Sequence, residues 1–164
     1  MKTNKIDLKI VALFRSKLNK KHRLIFEIGE STGLRVSDII SLRKSDLEKE
    51  KPTIKEKKTG KSKRIYIPKS TKAELEKLAK QSKNEYIFYS PTSESGHITR
   101  QAVWKAFKRA SKKCKASGNI APHSTRKDYA CKLLKKGKKF TYIQGKLNHA
   151  NVNDTLRYLL DDLL

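Results

Sequence analysis

Residues 147–158 read Leu-Asn-His-Ala-Asn-Val-Asn-Asp-Thr-Leu-Arg-Tyr, which places His149 nine positions before Tyr158. A histidine and a tyrosine at this spacing say little alone. They gain meaning from polar residues upstream, each beside a turn or a helix start: Arg35 after Thr-Gly-Leu, Lys58 before Thr-Gly, and the tetrad His123-Ser-Thr-Arg126. We therefore treat residues 147–158 as the segment around which the rest of the chain is organised.

The charge balance predicts a polyanionic partner. The 164 residues include 40 Lys and Arg against 16 Asp and Glu, a formal net charge of +24. Because this exceeds what solubility requires, a merely well-solvated surface is the weaker explanation. A membrane surface is weaker still, since the basic residues are spread over most of the chain and not confined to one amphipathic helix. The length suits one ordinary domain, which we place over residues 1–164.

Two absences in the sequence bear on location and metal content. No apolar run approaches the roughly 20 residues of a spanning helix, and the N-terminus leads into no signal-peptide core. We therefore expect a cytoplasmic protein without a membrane partner. Cys114 and Cys131 are far apart and lack Cys-x-x-Cys spacing, so we expect thiols and no zinc site.

Apolar periodicity predicts two helices in the first part of the chain. The first covers residues 6–18, a basic break follows over 19–23, and the nearly all-apolar segment 24–28 marks a buried second helix. Gly33 is expected to end it, because glycine most easily takes the left-handed conformation after a last helical turn.

Arg35 is expected to stand at the head of a short helix over residues 36–42. A turn between two packed helices fixes the backbone, so the guanidinium would be presented with little entropy left to lose. Asp38, one helical turn on, could pair with Arg35 and hold its side chain.

Over residues 52–68 the spacing of apolar residues changes from the helical period to that of β-strands. Residues 53–55 and 64–67 have strand composition, and Lys58-Thr-Gly-Lys61 between them is typical of a hairpin tip. A lysine beside such a turn could reach a DNA groove on its long stem, which makes Lys58 and Lys61 candidates; the alternative is a solvated basic hairpin. Residues 86–89, short, apolar and aromatic, predict a third strand.

Two further helices follow capping signals. Thr71-Lys-Ala-Glu74 is a capping-box pattern that predicts the start of a structural helix. Thr99 caps an amphipathic helix with apolar residues predicted to face inward at Ala102, Val103, Ala106, Phe107 and Ala110. The basic side of that helix suits a DNA groove or its phosphates, with Arg100 and Gln101 placed to reach base edges and Lys105 to bind DNA.

The tetrad His123-Ser-Thr-Arg126 is predicted to open a helix over residues 125–134, after a linker over 118–122. His123 and Arg126 can lie on the same side of its first turn. The free amides and partial positive charge of a helix N-terminus favour a phosphate there. A short helix over 140–147 and a last helix that carries Tyr158, capped by Asn153 or Asp154, complete the prediction.

Three motifs together resemble the tyrosine recombinase (phage integrase) family, in its catalytic domain: Thr-Gly-Leu-Arg35-Val-Ser-Asp-Ile, His123-x-x-Arg126, and Leu-Asn-His149 with Tyr158. The resemblance covers essentially the whole sequence. It implies an α+β fold, a mainly helical single domain with a small antiparallel three-stranded sheet, in agreement with the elements predicted above. It also implies a set of catalytic residues: Arg35, Lys58, His123, Arg126, His149 and Tyr158.

The chain departs from the family's pattern in three places. Asn148 stands where the family usually has glycine, and Lys127 and Asp128 stand where many members carry histidine and a small hydroxyl residue. Most members also have an N-terminal core-binding domain, which residues 1–164 do not include. We therefore expect either a fragment of a longer integrase or a short form that depends on other contacts.

Phosphodiester chemistry needs these residue types. Attack on the phosphate adds negative charge to its oxygens, and Arg35 and Arg126 can offer paired donors that tighten as this charge develops. A tyrosine hydroxyl has a pKa near 10, so its ionisation at neutral pH costs roughly 4 kcal/mol. By the resemblance, His123 takes or relays the proton, Lys58 protonates the departing 5′ oxygen, and His149 hydrogen-bonds the phosphate. A 3′-phosphotyrosyl link retains the bond energy, so we expect no ATP, no metal and no other cofactor.

The leading hypothesis is therefore a site-specific DNA recombinase that acts on double-stranded DNA in the integration or excision of a mobile element. The resemblance implies a tetramer on DNA with weak self-association in its absence. Three alternatives remain: a type IB topoisomerase, a recombinase-fold regulator that binds DNA without cutting it, and a basic structural protein of the ribosome or nucleoid. The last explains the charge and leaves the order of the motifs unexplained.

Overall fold

Helices make up most of the fold. The structure, a computed structural model, describes residues 8–48, 52–116, 120–149, 153 and 155–156. The helices are α1 (Leu8–Ser16), α2 (Lys20–Thr32), α3 (Val36–Ile40), α4 (Lys44–Leu47), α5 (Lys69–Gln81), α6 (Arg100–Lys113), α7 (Pro122–Lys135) and α8 (Phe140–Leu147). The strands are β1 (Thr53–Lys55) and β2 (Ser62–Arg64), which pair antiparallel. The predicted fold class, mainly helical α+β with a small antiparallel sheet, is confirmed.

Helix α2 lies at the centre of the core. Leu24, Phe26 and Ile28 are fully buried, as predicted for the apolar segment 24–28. The ring of Phe26 lies 5.3 Å from that of Phe14 in α1 and 5.9 Å from that of Phe107 in α6, centroid to centroid. Such aromatic pairs add roughly 0.5–1.5 kcal/mol beyond their buried area, so they fix α2 between its neighbours.

The basic break predicted over residues 19–23 was wrong. Asn19 is the N-cap of α2, and its Oδ1 accepts a hydrogen bond from the His22 backbone N–H at 3.0 Å. An N-cap of this kind satisfies one of the free amides at a helix start, so the helix begins at Lys20 and the basic residues form its first turn. Long basic side chains can extend to solvent from there without interrupting the helix.

Gly29 in α2 and Gly33 directly after it set the position of α7. A Cβ at Gly29 would lie 2.2 Å from Thr125 Oγ1, so the two helices approach closely at this point. Gly33 ends α2 with φ 64°, and a Cβ there would lie 2.4 Å from the Tyr129 ring. Both the backbone conformation and the packing therefore require glycine at position 33, where the sequence predicted the helix end.

The hairpin pairs Thr53 with Arg64, Ile54 with Lys63, and Lys55 with Ser62. Because successive side chains of a strand alternate between two faces, Ile54 and Lys63 share the buried face. The tip over residues 58–61 lies where the sequence placed it, and Gly60 takes a positive φ of 67° in that turn.

The third predicted strand, residues 86–89, is absent from the described part of the chain. Tyr86 and Tyr89 instead form isolated bridges, to Arg43 and His97 respectively. Each end of the segment meets a different stretch of chain, so no neighbour stays alongside long enough to form a ladder. Ile87 and Phe88 are both fully buried, which explains why the segment is apolar without the alternation of a surface strand.

Three details of the helix predictions need correction. Helix α5 begins at Lys69, so Thr71 lies inside its first turn, where its hydroxyl donates to Glu27 Oε2 at 3.3 Å instead of capping. Helix α7 begins at Pro122, whose ring favours the first helical position, so His123 lies within the helix. Thr99 caps α6 as predicted, but Ala102 is exposed and not part of the inward face.

Cys114 and Cys131 are buried cysteines outside any disulfide, each within the packed interior. Among the described residues, none of the helices has the length and apolarity needed to cross a membrane.

Candidate active site

Arg35 is the N-cap residue of α3, directly after the turn that ends α2. Its Nη1 donates to Glu56 Oε2 at 2.6 Å, and Glu56 is fully buried at the base of the hairpin tip. The carboxylate that holds Arg35 is therefore Glu56, whereas the sequence analysis suggested Asp38. One guanidinium nitrogen makes this contact, so the other N–H groups of Arg35 can bind a substrate oxygen.

Asp38 has a different role, because it fixes the hairpin. Its Oδ1 accepts from the Lys57 backbone N–H at 3.0 Å. Glu56 adds two contacts: its Oε2 accepts from the Thr59 hydroxyl at 3.1 Å, and its carbonyl accepts from the Gly60 N–H at 2.8 Å. The turn that carries Lys58 is thus tied to the turn that carries Arg35.

The two carboxyls lie in an environment poor in water. Desolvation, with some repulsion from Glu56, raises the pKa of Asp38, although the Lys57 amide, Arg35 and Arg126 oppose the rise. Nothing in the sequence indicated that Glu56 would be buried, since it is one acid within the basic stretch Lys55-Glu-Lys-Lys58.

Arg126 is 1% exposed, although arginine is seldom buried. Its Nη1 donates to the Gly33 carbonyl at 2.5 Å, and its Nη2 donates to the Leu147 carbonyl. Arg126 therefore joins three segments that are far apart in sequence: the start of α7, the turn before Arg35, and the end of α8. The sequence predicted its place in the site but not this burial.

Lys63, which the sequence analysis did not single out, is buried below the same turn. Its Nζ donates to the Thr32 carbonyl at 2.7 Å and lies 5.6 Å from the centroid of the Tyr129 ring. Only its position opposite Ile54, on the inward face of a strand, could have indicated this burial.

His123 lies where the cations of the site converge. Desolvation at its inner side, together with the charges of Arg126, Arg35, Lys127 and Lys58, lowers its pKa to about 4, while part of the side chain is exposed. The imidazole is therefore neutral at pH 7 and able to accept a proton. The structure therefore places Arg35, Lys58 and Arg126 close enough to His123 for their charges to act on it, and their catalytic roles stay a prediction.

His149 follows α8, and its Nδ1 lies 2.9 Å from the Thr155 Oγ1. Asn148, just before it, has φ 49° and ψ 41°, a left-handed conformation that asparagine tolerates better than most residues. This conformation accounts for asparagine at a position where glycine is usual. Residues 153, 155 and 156 have helical backbone, whereas Asp154 and Tyr158 lie outside the described residues.

The predicted DNA contacts lie on exposed surface. Arg100, Gln101 and Lys105 are exposed on α6, and Lys61 is exposed at the hairpin tip. Their role stays a prediction. Trp104, which the sequence analysis did not name, is 37% exposed on α6, with Lys108 Nζ 4.6 Å from its ring centroid. Across the described ranges, no three His, Cys, Asp or Glu side chains group as metal ligands would.

Known proteins are similar to this chain in sequence and in fold. The model of the phage integrase family matches residues 4–162. The probable integrase/recombinase YoeC of Bacillus subtilis is 31% identical over 143 residues, which cover 86% of this chain and 78% of YoeC. Tyrosine recombinase XerD of Listeria monocytogenes is 28% identical over 151 residues, 86% of this chain. The match covers 50% of XerD, so the chain spans about half the length of that relative.

Among solved structures, a lambda integrase dimer bound to a COC′ core site superimposes with a TM-score of 0.72 at 22% identity, over 96% of this chain and 60% of that one. Fold and sequence together thus define an integrase-type domain. The chain belongs to the phage integrase family. The resemblance stated from its motifs is confirmed.

Proposed function

We propose that residues 1–164 form the catalytic domain of a site-specific DNA recombinase, which cuts and rejoins double-stranded DNA through a 3′-phosphotyrosyl intermediate on Tyr158. Its biological role would be the integration or excision of a mobile element. Relatives named integrase and tyrosine recombinase support this assignment. The observation that carries it is the pair of anchored arginines: Arg126 and Arg35 are fixed on either side of one turn, beside a neutral histidine.

Fixed guanidinium groups suit phosphoryl transfer because they need little reorganisation as charge develops on the phosphate. Arg126 donates from both terminal nitrogens to backbone carbonyls, and these two bonds hold its guanidinium in one orientation. Arg35 can add donors from the hairpin side. The two would bind the equatorial oxygens of the scissile phosphate.

The proton transfers follow from the state of the neighbouring groups. In cleavage, the Tyr158 oxygen forms a bond to phosphorus, the bond from phosphorus to the 5′ oxygen breaks, and the tyrosine proton passes to the neutral His123. Lys58, on the exposed hairpin tip, supplies a proton to the departing 5′ oxygen. His149, held by Thr155, hydrogen-bonds the phosphate. Rejoining reverses these steps with a 5′ hydroxyl as the nucleophile.

The DNA partner is part of the proposal. Arg100, Gln101, Lys105 and Lys61 would contact the duplex around the site, in keeping with a formal net charge of +24. We expect assembly as a tetramer on DNA with weak self-association without it. The integrase dimer on a core site shows a related fold assembled on DNA.

A nicked suicide DNA substrate tests the activity. The short fragment that carries the new 5′ hydroxyl diffuses away, so a covalent protein–DNA species accumulates and is visible on a denaturing gel. We expect an adduct with the wild type and none with Tyr158→Phe, while DNA affinity stays within a few-fold because the phosphate-binding arginines are unchanged. A wild-type protein that binds DNA and forms no adduct would favour a non-cutting regulator instead.

A further inference from the structure

Two consecutive carbonyl groups at the end of α2 each accept a hydrogen bond from a buried cation. Lys63 Nζ donates to the Thr32 carbonyl at 2.7 Å, and Arg126 Nη1 donates to the Gly33 carbonyl at 2.5 Å. Arg35 follows two positions later in the chain. Carbonyls at a helix C-terminus lack helical partners and have partial negative charge, so they suit cations.

The two cations reach this point from different elements. Arg126 comes from α7, whereas Lys63 comes from β2, whose hairpin also carries Lys58 at its tip. On the Arg35 side, the hairpin is already held by Glu56 and Asp38. The Lys63 bond is therefore a further attachment of the hairpin to the turn before Arg35, and it starts from the middle residue of β2.

Lys63 is enclosed where it makes this bond. It is 7% exposed, and the Tyr129 ring beside it is the ring that packs against Gly33. The remaining side of Lys63 borders a cavity of about 300 Å³, which Tyr66, Tyr142 and Lys146 also line. Burial of an ammonium group is unfavourable unless it is well bonded, and an apolar side chain would fill this position more stably.

We propose that Lys63 is a positioning residue for DNA strand cleavage, whose bond to the Thr32 carbonyl holds the hairpin that carries Lys58 against the turn that carries Arg35. This inference rests on the proposed function. Lys63 touches no reacting atom; it acts through the alignment of the residues that do.

The charged surroundings of Lys63 make the bond sensitive to pH. Desolvation, with the charges of Arg126 of α7, Lys146 of α8 and Arg35, lowers its pKa to about 7 against the opposing charge of Glu56. The phenols of Tyr129 and Tyr142 also face this region. Above pH 7 the amine becomes neutral, and its hydrogen bond loses the assistance of the charge.

Single-turnover cleavage of the suicide substrate tests the inference with three variants. Lys63→Met removes the bond at similar size, Lys63→Arg retains a cation, and Lys55→Met makes the same change at an exposed position of the same hairpin. We expect Lys63→Met to cleave roughly 10- to 100-fold more slowly than wild type, with DNA affinity within a few-fold and no loss of thermal stability. Lys63→Arg should recover part of the rate, and Lys55→Met should match wild type.

The pH profile separates positioning from a structural role. The rate ratio of wild type to Lys63→Met should be larger at pH 6 than at pH 9, because only the charged form makes the stronger bond. A Lys63→Met protein as fast as wild type at pH 6, or one that fails to fold, would overturn the inference. A wild type without any adduct overturns the proposed function and this inference together, whereas an adduct with equal rates overturns this inference alone.

Discussion

Arg126 and Lys58 both belong to the candidate site, but the protein holds them in opposite ways. Arg126 is 1% exposed and is bonded to two backbone carbonyls. Lys58 is exposed at a hairpin tip, where Asp38 and Glu56 hold the backbone around it and not its side chain. Under the proposed function, the difference separates two tasks: a charge that stabilises a phosphate must be fixed in advance, whereas a proton donor must be able to reach a leaving atom.

We expect the largest effect from Arg126→Lys. The lysine keeps the positive charge, but an ammonium cannot reach the Gly33 and Leu147 carbonyls together and bind a phosphate as well. We expect cleavage to fall by about 1,000-fold or more, and the free energy of unfolding to fall by about 2–4 kcal/mol. Suicide-substrate kinetics and urea denaturation measure the two.

Arg43→Lys is the matched control for this change. Arg43 is exposed and pairs with Glu85 at 3.1 Å, so its replacement should alter stability by less than about 1 kcal/mol and leave cleavage unchanged. If Arg126→Lys proved as mild as this control, the burial of Arg126 would have no part in catalysis.

We expect the next largest effect from substitution of Gly33, whose carbonyl accepts from Arg126 and which lies two residues before Arg35. Gly33→Ala meets a strained φ of 64° and a Cβ contact with Tyr129 at 2.4 Å, whereas Gly137→Ala meets a similar φ of 70° in open space. We expect a loss of about 3 kcal/mol or more at position 33 and about 1 kcal/mol at position 137. Equal losses by thermal or urea denaturation would mean that the packing against Tyr129 adds nothing.

Lys58, the exposed cation, should affect the rate of cleavage and not the free energy of unfolding. Lys58→Ala should leave the unfolding free energy unchanged within about 0.5 kcal/mol and slow cleavage by about 100-fold. A DNA substrate with sulfur in place of the bridging 5′ oxygen has a good leaving group and should restore much of the rate. A sulfur substrate that leaves Lys58→Ala equally slow would assign Lys58 to phosphate binding.

The smallest effect concerns Lys63 and pH. The folded protein has a Lys63 pKa of about 7, below the value of roughly 10.4 in the unfolded chain, so the unfolded chain binds more protons between these values and stability rises with pH. Relative to Lys63→Met, wild-type stability should therefore rise by about 2 kcal/mol from pH 7 to pH 9. A constant difference, measured by urea denaturation at both values, would show that the folded protein keeps Lys63 protonated from pH 7 to pH 9, as the unfolded chain does.

Short-range patterns predicted much of this molecule. The helix over residues 140–147, the cap at Thr99 and the glycine at the end of α2 follow from local periodicity and capping, which act within a few residues. The order of the motifs predicted that Arg35 and Arg126 share a site, and in the fold the charges of both act on His123.

The remainder depends on partners that are distant in the chain. Glu56 and Lys63 lie in a basic hairpin that looks solvated, yet they are buried because Arg35 and the Thr32 carbonyl, 21 and 31 positions away, meet them in the fold. The segment over residues 86–89 has strand composition, but a strand also needs a neighbour alongside it, which no local pattern provides.

Mapping the DNA–protein bond tests the central claim most directly. After reaction with the suicide substrate, protease digestion and mass spectrometry identify the peptide that retains the nucleotide. The account predicts the 3′ phosphate on Tyr158, and no adduct at any time in Tyr158→Phe at nearly unchanged DNA affinity. An adduct on Tyr129 or Tyr142, or one that persists in Tyr158→Phe, would contradict it.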